Sequence, residues 1–329
     1  MVTVNLYHPK KEQDWNELVE LGKNTSFLFN RDFMEYHSER FEDSSLMIYE
    51  RNKLVAILPA NRVGKVVHSH QGLSYGGLVC RRDIKLNLML ECFRCILKFL
   101  DENGITKLFY KAIPRIYSDL PSDEQDWALI ASQAHLYRRD STIVINNTIP
   151  IPYQTRRKRS IKKAFRLNPT IKRDADFSGL EDFWVNILEP NLEARFGRKP
   201  VHSLEEIKLL AARFPNNIVH YNVYVDDKIM AGCTMFLNRL VAHAQYISGS
   251  IEGRKNGCLD FLFDHLIKTA YKDYQYFDFG NCNESEGQII NHGLLDWKEG
   301  FGGRAISHDY YEVETRNHVL LKDKISIEQ

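Results

Sequence analysis

The segment between residues 218 and 248 constrains the fold most, because it contains three strand-like patterns joined by very short connections. Residues 218–225, 229–237 and 240–248 are rich in β-branched and aromatic side chains, which is typical of strands. Two or three polar residues separate each pattern from the next. Since connections this short join antiparallel neighbours, the sequence predicts an antiparallel meander.

The periodicity changes after the meander. Residues 249–257 are glycine-rich and polar, which predicts a loop. The apolar residues that follow recur at helical spacing and predict a helix to about Lys272, namely Leu259, Leu262, Phe263, Leu266, Ile267 and Ala270. The remaining patterns predict a short buried strand, a helix and a final strand, at residues 276–280, 289–297 and 305–313.

The first half follows a similar order of elements without any residue-level repeat. Its patterns predict a hairpin, extended segments, a helix, a strand, a second helix and a last strand, at residues 46–59, 66–79, 84–100, 107–111, 124–136 and 141–146. A chain of 329 residues is long enough for two cores. We therefore expect an α/β protein of the α+β type with domains at 1–150 and 151–329.

The overall charge and apolar content narrow the protein class. The formal net charge is +1, so any anion-binding site must be local and nucleic acid is not the expected partner. The apolar stretch at residues 92–100 contains Arg94 and Lys98 and is too short to span a bilayer. The first eight residues lack the pattern of a signal peptide, and the six cysteines are scattered, so we expect a cytoplasmic protein with reduced thiols.

One strongly basic run, residues 153–166, lies between the two halves. It predicts a connecting helix, which could be simply solvated. Alternatively, its guanidinium groups could bind a phosphate-bearing substrate, because they match phosphate oxygens. Nucleic acid is a weaker alternative, since the rest of the chain is not basic.

Several strings resemble the FemAB-like branch of the GNAT superfamily across nearly the whole chain. They begin at Asn30, Ser69, His243, Tyr276 and Trp297, and read NRDFMEYH, SHQGLSYGG, HAQYI, YFDFG and WKEGFG. Within that branch the chain is similar to N-acyltransferases of sugar-nucleotide pathways in polysaccharide biosynthesis. The resemblance implies two tandem GNAT-like domains, each a mixed, mostly antiparallel sheet flanked by helices. It also implies a coenzyme A thioester as acyl donor and a dTDP- or UDP-linked amino sugar as acceptor.

The resemblance implies that coenzyme A enters a gap between two splayed strands of the second half. The family's phosphate loop usually reads Gln/Arg-x-x-Gly-x-Gly/Ala; Arg254 and Gly257 fit it, whereas Leu259 replaces a small residue. Loop N–H groups and a helix N-terminus can hold a pyrophosphate. The expected cofactor-binding residues are Gln245, Ile247, Ser248, Arg254, Lys255, Asn256, Gly257, Cys258 and Asn281.

Acyl transfer to an amine needs a group that removes the ammonium proton. His243 is the preferred general base, because an unperturbed histidine pKa of about 6.5 suits this task near neutrality; the alternative is a hydrogen-bonded core histidine. Asp278 is the second choice, or a structural hydrogen-bond partner. Strand alternation places His243 and Gln245 on one face and Tyr246 on the other unless a bulge intervenes. Tyr246 could then protonate the leaving thiolate or belong to the core.

The first half contributes a glycine-rich string in which His70, Gln71 and Tyr75 could contact the sugar or base. Asn283 and Glu284, after the short strand, are further substrate-binding candidates. His68 and His70 share a strand face, but no nearby cysteine or carboxylate completes a metal site, so we expect no metal. Residues 72–76 match the serine-nucleophile pattern, yet more strand is predicted to follow rather than the required helix.

Two other functions remain open at this stage. One is a FemAB-type aminoacyltransferase that uses aminoacyl-tRNA, which should have a broad basic surface or a helical arm. The other is a non-catalytic small-molecule-binding protein that keeps the fold, and Leu259 in the phosphate loop favours it.

Overall fold

The computed structural model describes residues 1–174, 177–322 and 324, which form two compact units. The first unit contains residues 1–140, residues 286–288 and the described residues from Ser307 onward. The second contains residues 141–285 and 289–306. These limits differ from the predicted boundary at residue 150, because the last strand and helix of the chain return to the first unit.

The first unit is built from short strands and four helices before the chain enters the second unit. Its strands are β1 (Val2–Leu6), β2 (Glu42–Asp43), β3 (Leu46–Glu50), β4 (Lys53–Leu58), β5 (Asn61–Val63), β6 (Val66–His68), β7 (Val79–Cys80) and β8 (Lys107–Lys111). Its helices are α1 (Glu12–Leu21), α2 (Arg31–Met34), α3 (Leu86–Glu102) and α4 (Glu124–Ala131). Strand β9 (His135–Asn146) then passes from the first unit into the second.

Two groups of paired strands form the first unit. Strands β1, β3, β4 and β7 pair antiparallel in that order, and the β3–β4 hairpin turns through Arg51 and Asn52, both with positive φ. This geometry matches the twist of the flanking strands. Strand β8 pairs with the final strand β17 (Arg304–Glu314) and with β6. The predicted hairpin and the strand at 107–111 are therefore confirmed.

Helix α3 supplies much of the first core. Its apolar stripe, which includes Leu90, Phe93 and Leu97, is buried, and Cys92 belongs to the same cluster. Val313 from β17 and Leu321 from the last helix, α12 (His318–Lys322), complete it. The predicted helix is confirmed, because apolar residues at helical spacing bury one face.

Two expectations for the first half are wrong in detail. The segment 66–79 was expected to be extended, but only its ends are strands, and residues 69–78 form turns. Helix α4 ends at Ala131 rather than at residue 136, since Gln133 adopts a positive φ and β9 begins at His135. Glycines and turn residues, not side-chain periodicity, determine both boundaries.

The second unit begins with the predicted connecting helix α5 (Thr155–Phe165). Its other helices are α6 (Ser178–Phe183), α7 (Glu189–Phe196), α8 (Leu204–Arg213), α9 (Ile251–Asn256), α10 (Cys258–His265) and α11 (His292–Glu299), with π-helical turns at Trp184–Leu188 and Leu266–Ala270. Its strands are β10 (Thr170–Asp174), β11 (Ile218–Val225), β12 (Lys228–Leu237), β13 (Val241–Gly249), β14 (Tyr276–Asn281), β15 (Asn283–Glu284) and β16 (Ile289–Ile290).

The main sheet of the second unit has the strand order β10-β11-β12-β13-β14-β9. The meander β11–β12–β13 is antiparallel, as predicted, and Asp226 and Asp227 make its first turn with positive φ. Strand β14 pairs parallel with β13 and antiparallel with β9. The parallel pair is possible because helices α9 and α10 form the crossover between β13 and β14.

The expected loop at 249–257 is wrong, since it contains helix α9. The Ser250 hydroxyl accepts a hydrogen bond from the Gly253 N–H at 2.9 Å and caps the helix, and Gly257, with φ of 80°, ends it. A serine cap and a terminal glycine are strong helix boundaries. The expected helix at 289–297 is also shifted: Ile289 and Ile290 form β16, and α11 begins after the Asn291 cap.

Helix α5 is packed against α10 rather than only solvated. The Arg157 guanidinium donates to both carboxylate oxygens of Asp260 at 2.7 and 2.8 Å. Gly257 lies so close to α5 that an added Cβ would stand 2.5 Å from the Ser160 carbonyl oxygen. Arg157 is therefore a structural residue, whereas several other basic residues of the run stay exposed, namely Arg156, Lys158, Arg159, Lys162 and Lys163.

Candidate active site

A gap opens between β13 and β14 in the second unit. The two strands pair only over Val241–His243 of β13, and the last pair is His243 with Asp278. Strand β13 continues to Gly249, while β14 turns at Gly280, which has a φ of 75°. The edge of β13 beyond His243 therefore faces a gap. An extended ligand in this gap could form hydrogen bonds with the backbone groups of β13.

A β-bulge lies at the mouth of this gap. Thr234 pairs with Tyr246 and Met235 with Ala244, so Gln245 is the extra residue of β13. A bulge bends its strand and redirects side chains. The sequence analysis expected His243 and Tyr246 on opposite faces of the strand unless a bulge intervened, and this bulge is present at Gln245.

His243 and Asp278 form a hydrogen-bonded pair at the point where the strands separate. The distance from His243 Nδ1 to Asp278 Oδ2 is 2.9 Å. The other carboxylate oxygen accepts from the Thr142 hydroxyl at 3.0 Å and from the Gly280 N–H at 2.7 Å. Asp278 is buried and fully hydrogen-bonded, so it orients the imidazole. The two residues that were predicted as alternative bases belong to one arrangement.

The second ring nitrogen of His243 faces the side chain of Gln245. Nε2 lies 3.1 Å from Gln245 Oε1, and 15% of the His243 side chain is exposed. The Gln245 oxygen can only accept, so Nε2 donates to it in this arrangement, whereas a rotated amide group would place its N–H against an Nε2 lone pair. The Asp278 contact orients the imidazole and leaves Nε2 as the ring nitrogen available for proton transfer.

Tyr246 lies in a different environment from His243. It is buried, its ring packs against Trp184 with centroids 4.8 Å apart, and its hydroxyl is hydrogen-bonded to the main-chain N–H and ring Nδ1 of His202. These contacts favour the core role over that of a proton donor to a thiolate.

The junction between β13 and α9 is held by Asn191 and Arg254. The Asn191 amide donates to Ser248 Oγ at 2.9 Å and to the Gly249 carbonyl at 3.1 Å. Arg254 Nη1 donates to Asn191 Oδ1 at 3.0 Å and to the Gly249 carbonyl at 2.6 Å. Burial and the nearby positive charge of Arg195 lower the pKa of the Arg254 guanidinium. Two guanidinium groups that repel each other would be stabilised by an anion.

The other predicted cofactor residues have different exposures. Lys255 is exposed, and its carbonyl accepts from Lys163 at 2.8 Å. Asn256 and Ile247 are half-buried. Gly257 and Cys258 are buried, and Gly257 packs against α5. A packing role therefore explains the glycine without a ligand.

Lys298 is a site residue that the sequence analysis missed. It is only 2% exposed, and its ammonium donates to the carbonyls of Gly280 and Asn281 at 2.9 and 2.6 Å. Burial lowers its pKa. These bonds hold the end of β14 where it leaves β13. The sequence feature that could have indicated this role is the position of Lys298 on the buried side of α11, three residues before the buried Phe301.

We expect Lys298→Met to reduce the free energy of unfolding by about 1–3 kcal/mol, because two buried carbonyl groups would lose their donor. Urea unfolding followed by circular dichroism measures the change. Lys162→Met, at an exposed position of α5, is the control and should lie within about 0.5 kcal/mol of the parent protein. An equally small effect at Lys298 would contradict the structural role.

Asn281 ends β14, and Asn283 and Glu284 form β15 directly after it. Asn281 is exposed. The Asn283 side-chain oxygen accepts from the Ser141 N–H at 2.6 Å, and Glu284 accepts from the Asn291 amide at 2.6 Å. Asn283 and Glu284 thus stabilise the two-stranded ribbon β15–β16 and its surroundings.

His70, Gln71 and Tyr75 lie in the first unit. His70 has a φ of 56° and is buried, and burial lowers its pKa to about 3. The Gln71 side chain is hydrogen-bonded to Asn61, and the buried Tyr75 hydroxyl lies 3.2 Å from Ser26 Oγ. The predicted close approach of substrate to this string stays a prediction. The glycines themselves are explained by packing, since an added Cβ on Gly76 would overlap the Ser69 carbonyl.

Among the described residues, no group of three or more histidine, cysteine, aspartate or glutamate side chains could hold a metal ion. Within the same residues, no helix combines the length and apolar character that a membrane crossing requires. All six cysteines are free.

Part of the chain matches a known family of protein domains. Residues 153–299 match the family model described as Acetyltransferase (GNAT) domain. A search of curated proteins finds no match.

Solved structures similar to the chain include three whose fold covers it almost completely. FemX is 11% identical with a TM-score of 0.65, and the match covers 97% of this chain and 99% of FemX. L-PGS from Bacillus licheniformis is 14% identical with a TM-score of 0.59, and the match covers 98% of this chain and 99% of that protein. A tandem GNAT protein from the clavulanic acid biosynthesis pathway is 10% identical with a TM-score of 0.51, and the match covers 96% of this chain and 98% of that protein. The predicted FemAB-like tandem GNAT fold is confirmed.

Proposed function

We propose that the protein, whose residues 153–299 match the model of a GNAT acetyltransferase domain, transfers an acyl group from a coenzyme A thioester to the amino group of a nucleotide-linked amino sugar. The observation that supports this most is the pair of His243 and Asp278 at the start of the gap between β13 and β14. A thioester laid along the free edge of β13 would bring its carbonyl group close to that pair.

His243 acts on the amine in this proposal. The acceptor arrives as an ammonium ion, and Nε2 of His243 takes its proton so that the nitrogen lone pair can attack the thioester carbon. A C–N bond forms and the C–S bond breaks, and the second proton of the nitrogen passes to the departing thiolate, which leaves as coenzyme A. Asp278 stabilises the imidazolium that forms, because its carboxylate accepts the hydrogen bond from Nδ1.

The pyrophosphate of coenzyme A binds at the β13–α9 junction in this proposal. Arg254 and the neighbouring Arg195 supply positive charge there, and Ser248 and Asn191 supply polar contacts. Lys255 and Asn256, at the end of α9, lie further along the same junction. Binding of an anion would relieve the repulsion between the two guanidinium groups.

The acceptor is proposed to be a dTDP- or UDP-linked amino sugar, on the basis of the sequence resemblance. Asn281 and Gln71 are predicted contacts whose side chains are exposed. His70 and Tyr75 are engaged within the first unit, and Asn283 and Glu284 are hydrogen-bonded within the second, so these four substrate contacts stay predictions. Cytoplasmic localisation suits this activity, because nucleotide sugars and acyl-coenzyme A are water-soluble.

We expect Arg254→Ala to weaken coenzyme A binding by about tenfold, since a charge-assisted contact to phosphate contributes roughly 1.5 kcal/mol or more. Calorimetric titration with coenzyme A and acetyl-coenzyme A measures it. Arg159→Ala, which removes the same charge from the exposed surface of α5, should bind like the parent protein. Unchanged affinity in Arg254→Ala would overturn the phosphate assignment.

Free-thiol release from acetyl-coenzyme A with a panel of dTDP- and UDP-linked amino sugars tests the acceptor. Release that depends on the sugar amine supports the proposal, and hydroxyl sugars of the same nucleotides are the control. Binding of coenzyme A without thiol release would reject the acceptor class alone.

The runner-up is aminoacyl transfer from aminoacyl-tRNA, and the exposed basic side chains of α5 favour it specifically. Absence of coenzyme A binding together with salt-sensitive tRNA binding would select this function. Absence of both would select a non-catalytic small-molecule-binding role.

A further inference from the structure

The second unit contains a pocket of about 470 Å³ that the proposed reaction does not use. Its wall includes Ile145 and Asn147, at the end of β9 and just beyond it, and Ile267 and Lys268 of the π-helical turn after α10. A volume of this size falls within the range of small-molecule pockets, roughly 300–1,000 Å³.

The pocket lies at the other end of the sheet from the candidate active site. In the β9–β14 ladder, Asn146 pairs with Tyr276 at the start of β14, whereas Thr142 pairs with Asn281 at its end. The pocket adjoins the first of these pairs and the gap adjoins the second. Along the crossover helix, Cys258 and Ile267 are separated by about 14 Å at 1.5 Å per residue.

The interior of the pocket is apolar and rigid. Ile145, Ile267 and Phe301 belong to the buried core of the second unit, so their positions are fixed by packing. Pro150 and Pro152 also line the pocket, and their rings restrict the backbone of the segment before α5. An apolar ligand would therefore meet a surface that needs little reorganisation.

The rim carries three lysines and no carboxylate. They are Lys158 of α5, Lys268 and Lys272. Lys268 pairs with Asp264 at 2.5 Å and stacks on the Tyr153 ring at 4.2 Å. Lys158 and Lys272 are exposed, and neither makes an ion pair within the described part of the chain. Lys158 and Lys272 thus place positive charge beside the apolar wall, whereas Asp264 compensates the charge of Lys268.

Tyr153 adds a hydrogen-bond donor to this rim. Burial, with a contribution from Asp264, raises the pKa of its phenol, so the hydroxyl stays protonated. The π-helical turn at Leu266–Ala270 widens the helix where Ile267 and Lys268 face the pocket. Such turns occur frequently at functional sites.

We propose that this pocket binds a soluble organic anion with an apolar body, specifically a medium-chain carboxylate. Its hydrocarbon part lies against Ile145, Ile267 and Phe301, and its carboxylate lies between Lys158 and Lys272. The proposal goes beyond the acyl transfer and does not depend on it, since every residue involved lies outside the gap between β13 and β14.

The test is calorimetric titration of the full chain with hexanoate, octanoate and decanoate. We expect one saturable site, with affinity rising by about threefold to fourfold for each added methylene group. Octanamide, which has the same chain without the charge, should bind more weakly. Coenzyme A at saturation should leave octanoate binding unchanged, which separates this site from the proposed active site.

Two variants decide whether this pocket is the binding site. The double variant Lys158→Gln with Lys272→Gln should weaken octanoate by about fivefold to tenfold, and Ile151→Asp, on the pocket wall, should weaken it further. Arg159→Gln, next to Lys158 on α5 and not a wall residue, is the matched control. Equal affinity in the double variant, displacement by coenzyme A, or preferential binding to anionic vesicles over free octanoate would overturn the proposal.

Discussion

Replacement of His243 by alanine is expected to lower the turnover number by roughly a hundredfold to ten-thousandfold while coenzyme A still binds. A positioned general base contributes rate enhancement of that order. In Asp278→Asn the amide oxygen would accept from Thr142 and Gly280, and the NH2 group would donate to Nδ1, so the variant should give a loss of similar kind by favouring the wrong tautomer. Steady-state kinetics with the amino-sugar acceptor measures both effects.

Two controls make this prediction specific. His135→Ala removes an exposed histidine of β9 and should leave turnover unchanged. Coenzyme A affinity, measured by calorimetry, should be the same in His243→Ala and in the parent protein. Near-normal turnover in His243→Ala would transfer the role of base to Asp278 or to water.

The second large effect concerns stability. Arg157→Ala is expected to lower the free energy of unfolding by about 3 kcal/mol, because it leaves the buried Asp260 carboxylate without its cation. Trp297 still donates to Asp260 at 2.6 Å, so part of the network remains. Urea unfolding monitored by circular dichroism measures the loss.

The adjacent residue provides a matched comparison. Arg156 pairs with Asp296 at the surface, where both side chains are about half exposed. Arg156→Ala should therefore cost less than about 1 kcal/mol. The double variant Arg157→Met with Asp260→Asn should recover much of the lost stability, since it removes both buried charges. Equal effects of Arg156→Ala and Arg157→Ala would show that the Asp260 pair has no special role.

Local sequence patterns predicted the elements whose structure depends on near neighbours. The strand at 107–111 and the meander were predicted to within a residue or two, because alternation and short turns involve neighbouring residues. Helix α9 was not predicted, because the glycines in its segment suggested a loop. Ser250 and Gly257, which begin and end the helix, are nevertheless good helix boundaries. The extended prediction for residues 66–79 failed for a related reason, since packed glycines there serve turns.

The candidate site was predicted only in part. His243 and Asp278 were each singled out, but as alternatives, because nothing local shows that residues 35 positions apart form one pair. Lys298 was missed altogether, since a lysine in a short helix is usually exposed and only the backbone of Gly280 and Asn281 explains its burial. The pocket beside Lys158 and Lys268 likewise combines residues from β9, α5 and the turn after α10.

By itself, the sequence predicted the longer strands, five of the twelve described α-helices and the residue types suited to acyl transfer, because periodicity and turn chemistry are properties of adjacent residues. Only the tertiary structure decided that β17 and α12 complete the first core, that β13 carries a bulge at Gln245, and that β13 and β14 separate after His243. The physical reason is that strand register and burial depend on contacts between residues far apart in the chain, whose energies no local pattern encodes.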